Sequence, residues 1–155
     1  MKHLHVFDCD GVLVDSSHRY KNLPNGSIDL DYWIENNTPE KIAHDRLLPH
    51  AKRYQLSLSD PDSFTIIATA RLCGIADLEY FRDHLGFPQK LICRKAGDIR
   101  KDWVLKAMGL RKLIGLRQFQ AAAVTVWEDN PVTIENLKRL FPRWRFNYVE
   151  SKQGA

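Results

Sequence analysis

Cysteine is scarce: Cys9, Cys73 and Cys93 are scattered, odd in number and without metal-ligand spacing. That excludes a disulfide framework and a zinc site, and it points to a reducing cytoplasm. No apolar stretch approaches spanning length, so no membrane partner is expected. The start, Met1-Lys2-His3-Leu4-His5, leads into a strand pattern instead of a signal peptide. Internal repeats, low-complexity linkers and blocks of like charge are also missing, which argues against a solenoid or a disordered tail.

What is present fits one domain over 1–155, long enough to bury a core without covalent help. The net charge of +4 is modest, but Arg94, Lys95, Arg100, Lys101, Lys106, Arg111, Lys112 and Arg117 crowd one region. Such crowding favours a polyanionic substrate, while a solvated helix face explains Arg111, Lys112 and Arg117 equally well. Short apolar runs predict strands near 3–8, 63–69, 89–93, 123–128 and 145–149. Thr38-Pro39 and Asn130-Pro131 pair an N-cap with a first-turn proline, predicting helices over 39–55 and 131–141; others are expected over 75–85 and 101–120. The alternation implies an α/β fold, a doubly wound parallel sheet whose ligands bind beyond the carboxyl ends of the strands. Asp8, Thr69, Arg94 and Asp129 all fall at such ends. Between the first and second strands only a small insert around 16–36 remains after the crossover, with Tyr20, Tyr32 and Trp33 as material for a flap.

Asp8-Cys9-Asp10-Gly11-Val12-Leu13 follows the apolar run Leu4 to Phe7 directly. Residues i and i+2 of a strand share a side, so Asp8 and Asp10 project together where Gly11 lets the chain turn. Converging carboxylates are costly without a cation between them, and an all-oxygen ligand set suits Mg²⁺. Cys9 points the opposite way, which makes a cysteine nucleophile a poor reading. His3 and His5 alternate with apolar neighbours as strand residues do.

With these residues in view, the chain resembles the haloacid dehalogenase superfamily of phosphohydrolases. Asp8-Cys9-Asp10-Gly11-Val12-Leu13 is similar to its first signature, and Phe64-Thr65-Ile66-Ile67-Ala68-Thr69 to its second. Lys101 and Lys106 are both candidates for its third, and Glu128-Asp129 stands at its fourth, with Glu128 where many relatives have Asp. The resemblance implies an aspartyl-phosphate mechanism. Asp8 would be the nucleophile, Asp10 the general acid and base, and Thr69 a donor to a phosphoryl oxygen. Asp8, Asp10 (through its carbonyl), Asp129 and Glu128 would surround Mg²⁺, with Glu128 also able to orient the lysine. It further implies a minimal or missing cap.

Arg94-Lys95-Ala96-Gly97-Asp98-Ile99-Arg100-Lys101-Asp102-Trp103-Val104-Leu105-Lys106 is similar to a segment in the phosphatase domain of phage-type polynucleotide kinase-phosphatases, where Gly-Asp-x-Arg-Lys-Asp precedes a lysine by four residues. That likeness favours Lys106 over Lys101 and makes Asp102 its partner one turn away. Thr69-Ala70-Arg71 and Arg19 match the same subfamily, both arginines placed to fork onto phosphate. Arg94, Asp98 and Arg100 would complete the substrate contacts. The substrate implied is a nucleotide or nucleic-acid end carrying a 3′-phosphate. A 5′- or 3′-nucleotidase is the alternative, and an idle binding module of the same fold a more distant one. No Gly-x-x-x-x-Gly-Lys-Ser/Thr loop is present, so a kinase or ligase partner would be a separate chain. Oligomeric state is left open.

Overall fold

Alternation along His3–Phe7 (β1) sends Leu4 and Val6 to one face of a sheet and Phe7 to the other. The computed structural model describes residues 2–25 and 28–150. Ser63–Leu72 (β4), Lys90–Arg94 (β5), Ala123–Glu128 (β6) and Arg145–Tyr148 (β7) complete a sheet of order β5-β4-β1-β6-β7, each pair parallel. This is the doubly wound α/β sheet expected, with each predicted strand present. β4 runs on past Thr69 to Leu72, with a break in register against β5. Leu4, Val6, Ile66, Val124 and Val126 form one core with Leu105, Leu110 and Leu113 of Asp102–Ile114 (α5). α5 in turn packs on Pro131–Leu140 (α6) through Ala107, Leu137 and Phe141. On the opposite face Phe7, Ile67 and Trp127 pack with Ala51 and Tyr54 of His50–Ser59 (α3) and Tyr80 of Ile75–Tyr80 (α4). Gly109 lies where α5 crosses β5: a Cβ there would meet Ile92 Cγ2 at 2.8 Å.

The helix expected over 39–55 is instead two. Pro39–Ile42 (α2) starts on Thr38, whose side chain accepts from Lys41 N at 3.3 Å, and α3 starts after Pro49. Between them Arg46–Leu47 (β3) pairs antiparallel with Val14–Asp15 (β2), and Leu48 N donates to Leu13 O at 2.8 Å. The ladder and the buried contacts of Asp45 outweigh the weak helical preference of this stretch. The helix expected over 101–120 ends at Ile114, with a separate single turn at Arg117–Phe119. In the insert, a turn at Ser17–Arg19 and the short Leu30–Glu35 (α1) flank residues 26 and 27, which lie outside the described residues. Trp33 of α1 lies 6.2 Å from Tyr20 and beneath the Arg19 guanidinium at 4.5 Å.

Candidate active site

Asp8 leaves β1 with its N–H donated to Trp127 O at 2.9 Å, which fixes it beside the end of β6. The chain then closes on itself: Leu13 N and Val14 N both donate to Cys9 O at 2.9 and 3.1 Å, and Gly11 takes φ 84° to allow it. Into this loop reaches Lys106 from α5. Its Nζ lies 3.0 Å from Asp8 Oδ1 and 2.5 Å from Glu128 Oε1, all three side chains nearly or fully buried. The other oxygen of Glu128 accepts from Asp129 N at 2.9 Å and sets the turn into α6, whose N-cap Asn130 accepts from Val132 N at 3.0 Å. Lys101, by contrast, is exposed at the start of α5. Of the two candidate lysines, the geometry brings Lys106 to the strand ends.

The charges do not balance. Ligand atoms of Asp8, Glu128 and Asp129 lie within 4.8 Å of one another, and one ammonium faces them. Burial, then the neighbouring Glu128 charge, push Asp8 well above the usual carboxylate range, with Lys106 opposing. Burial and Asp8 likewise push Asp129 up to about 8. For Lys106, burial disfavours the ammonium, but the facing Asp8 and Glu128 outweigh it and hold the pKa above its ordinary value. Three carboxylates against one lysine is a donor set that a hard dication would neutralise, and oxygen ligands suit such an ion. Glu128 is the least free of the three to ligate, since both its oxygens already accept hydrogen bonds.

The Asp10 carboxylate, expected to transfer protons while the Asp10 carbonyl meets the ion, is held by partners of its own. It faces Arg71, whose Nη2 and Nε lie 2.5 and 3.2 Å away, and Ser16, whose hydroxyl donates at 2.6 Å. Burial works to raise its pKa, but Arg71 and Ser16 outweigh it and hold Asp10 below the usual range. Arg71 and Arg19, the arginines expected to fork onto phosphate, are held by carboxylates of the chain itself. Fully buried, Arg71 donates to Asp77 at 2.8 Å and Asp45 at 3.3 Å as well as to Asp10. Arg19 is forked onto Asp45 at 2.9 and 2.9 Å and donates to Asn37 at 3.0 Å. A guanidinium in the interior requires carboxylates around it, and these donors are committed to them. Asp45, Asp77 and Ser16 carry no motif and were not singled out from the sequence. Asp45 falls within the helix predicted over 39–55 and Asp77 in the first turn of the one predicted over 75–85, both ordinary places for a solvated acid, so the sequence held no signal for them.

Thr69 is buried, and its Oγ1 accepts from Arg71 N at 3.0 Å, leaving the hydroxyl proton to donate elsewhere. The basic segment is knitted to itself. Arg94 donates to Ala70 O at 3.0 Å, Asp98 O at 2.7 Å, Arg100 O at 2.8 Å and Asp102 Oδ1 at 3.1 Å. Arg100 pairs with Asp98 at 2.6 Å. Asp102 therefore partners Arg94, and the expected Asp102–Lys106 pair is replaced by Glu128 and Asp8, which reach Lys106 from other strands. Cys9 is fully buried, and burial pushes its thiol far up, which removes it as a nucleophile.

The fold matches solved hydrolases. A hydrolase from Streptococcus pneumoniae TIGR4 superposes with TM-score 0.62 at 16% identity, covering 98% of this chain and 95% of that one. A haloacid dehalogenase-like family hydrolase from Streptococcus pneumoniae gives TM-score 0.63 at 12% identity, covering 89% and 80%. A chain of the Pnkp1/Rnl/Hen1 RNA repair complex gives TM-score 0.63 at 18% identity, covering 96% of this chain and 42% of that one. By sequence, the 5′-deoxynucleotidase of Escherichia phage T5 is 32% identical over 80 residues, 50% of this chain and 33% of that protein. The alignment thus spans about a third of that relative's length. The family model described as bacteriophage T5 5′-deoxynucleotidase matches residues 1–100, which carry Asp8, Asp10, Thr69 and Arg71. On that match, joined to a haloacid dehalogenase-like fold, the chain belongs to the bacteriophage T5 5′-deoxynucleotidase family.

Proposed function

We propose that the chain is a Mg²⁺-dependent phosphomonoesterase of nucleotides that works through an aspartyl-phosphate on Asp8. The observation that carries this reading is the buried set of Asp8, Lys106 and Glu128 with Asp129 beside it, at the carboxyl ends of β1 and β6. Asp8, Asp129 and the Asp10 carbonyl would hold the ion, which when bound screens the phosphate's charge from the carboxylate nucleophile. An Asp8 oxygen attacks phosphorus while the ester oxygen departs with a proton. Lys106, held by Glu128, faces Asp8 and offsets the repulsion between its carboxylate and the incoming phosphate. The Thr69 hydroxyl, which accepts from Arg71 N and keeps its proton free, donates to a phosphoryl oxygen. Asp10, held as a carboxylate by Arg71 and Ser16, is in the state that takes a proton from the water that hydrolyses the intermediate. Its role as acid in the first step requires it to leave Arg71, which holds it ionised, take up a proton from solvent and carry that proton to the leaving oxygen. The whole of 1–155 would act as one catalytic domain, with the insert near 16–36 as a small flap.

Deoxynucleoside 5′-monophosphates are the substrates the family match favours, since the relative's name specifies a 5′-deoxynucleotidase. A 3′-phosphatase acting on nucleic-acid ends is the second reading, supported by the likeness to the Pnkp1-containing complex and by the Gly97 to Lys106 segment. The internal pairing of Arg94 and Arg100 weakens it, because those groups are not displayed for a second phosphate. Phosphate release with Mg²⁺ separates the two. We expect turnover of 5′-deoxynucleotides to exceed that of 3′-monophosphates and of a 3′-phosphorylated oligonucleotide; preference for the oligonucleotide would reverse the order, and no release from any would reject the phosphomonoesterase.

A further inference from the structure

α3 packs over β4 and β1, and beside it on the same face lies a cleft of about 580 Å³ floored by β1, β6 and β7. Lys52, Arg53 and Arg145 line it, with His5 and His50, and no carboxylate does. None of the three permanent cations has a carboxylate within ion-pair distance among the described residues, whereas Arg19, Arg46, Arg71, Arg94 and Arg100 are all paired. Arg53 instead lies over the Trp127 indole at 5.9 Å. The ten-residue helix α3 opens into this cleft at Pro49 and His50 with no side-chain cap and no acid in its first turn, so its partial positive charge adds to theirs.

His5, which also lines the cleft, has its ring fixed from the far side. Ser63 donates its hydroxyl proton to Asp60 at 2.8 Å, so the 3.1 Å contact between His5 Nε2 and Ser63 Oγ has the histidine as donor. In the neutral ring that leaves Nδ1 as a bare acceptor, and it is buried without a partner. The cleft therefore combines cations with Thr125 and Asn147, which both donate and accept.

We propose that this cleft binds a nucleotide unit, its phosphate on Lys52, Arg53 and Arg145 and its sugar or base over Thr125, Asn147 and the edge of Trp127. The charge selects an anion, and another copy of the same face is disfavoured because it would bring like charges together. The volume lies within the range of small-ligand pockets. The choice of a nucleotide over another phosphate ester rests on the nucleotidase reading above. The unit can come from a free nucleotide or from a strand whose end is being processed.

The test reads binding without turnover: anisotropy of a fluorescein-labelled ten-residue oligothymidylate ending in a 3′-hydroxyl, in EDTA, against the full chain. Saturable binding is expected, unchanged in Asp8→Asn. It should be weakened about tenfold or more in the Arg53→Ala/Arg145→Ala double variant, with the salt slope reduced by about 2. Both arginines are exposed, so folding should survive; Lys52→Ala gives a second reading, with a slope reduced by about 1. Competition by thymidine 5′-monophosphate would make the free nucleotide the occupant, and competition only by oligomers would make it the strand. Equal competition by inorganic phosphate, or binding indifferent to all three cations, would overturn the proposal while leaving the phosphatase reading intact. Cleft-dependent binding without phosphate release would overturn only the latter.

Discussion

Replacing Lys106 by Met keeps most of the stem's volume and removes the ammonium that faces Asp8 and Glu128. Those contacts are 3.0 and 2.5 Å long, among side chains exposed by 5%, 11% and 2%. Breaking a buried pair by deleting one partner costs about 3–5 kcal/mol, because the remaining charge keeps its desolvation penalty without compensation. For a domain of this size each kcal/mol moves Tm by about 2–4 °C, so a fall of about 6–20 °C is expected by calorimetry in EDTA. The loss should also depend on pH. Asp8 already sits above its ordinary value, and Lys106 is the charge that opposes this. Without it the folded state binds a proton more tightly than the unfolded state, so the variant gains stability as pH falls toward the ordinary carboxylate range and loses it as pH rises. The deficit should be larger at pH 8 than at pH 5. A Tm within about 2 °C of wild type at both pH values would mean that the buried set does not depend on Lys106, and the reasoning from burial and charge would fail.

Saturation with Mg²⁺ at about a hundred times its Kd should raise Tm by about 5–11 °C, and the shift should vanish in Asp129→Asn; an equal shift in that variant would move the ion elsewhere. Because Asp129 is pushed up to about 8, Mg²⁺ must displace a proton below that pH, so titration calorimetry should show affinity rising from pH 6 to 8; a flat profile would deny Asp129 as a ligand. Asp10→Asn should lower kcat by about 10²- to 10⁴-fold, measured as phosphate release, while normal turnover would assign proton transfer to another group.

The strands and the strand-end carboxylates were legible because both depend on local pattern: apolar runs such as Ala123 to Trp127, and acids placed where those runs stop. Lys106 was legible as the favoured of two lysines through the likeness of its segment, while its place beside Asp8 and Glu128 follows from which turn of α5 meets β1 and β6. Its partner was misplaced on Asp102 because i, i+4 spacing is visible in a sequence, whereas the approach of Glu128 from β6 is a product of packing. The same gap explains Arg19 and Arg71. As residue types they suit phosphate, but the interior that closes around them is built by Asp45, from a stretch whose spacing reads as continuous helix and which instead runs extended into β3. Buried ionic networks assemble residues from distant segments, and no periodicity announces them.

The central claim, covalent catalysis at Asp8, is tested most directly by trapping. Wild-type chain with Mg²⁺ and a 5′-deoxynucleotide is quenched in acid and reduced with borohydride, which converts an acyl phosphate to the alcohol, and the peptide spanning Asp8 is read by mass spectrometry. The account predicts homoserine at position 8, dependent on substrate and on Mg²⁺. Phosphate release with residue 8 recovered as unmodified aspartate across the time course, or with reduction found at another carboxylate, would contradict it.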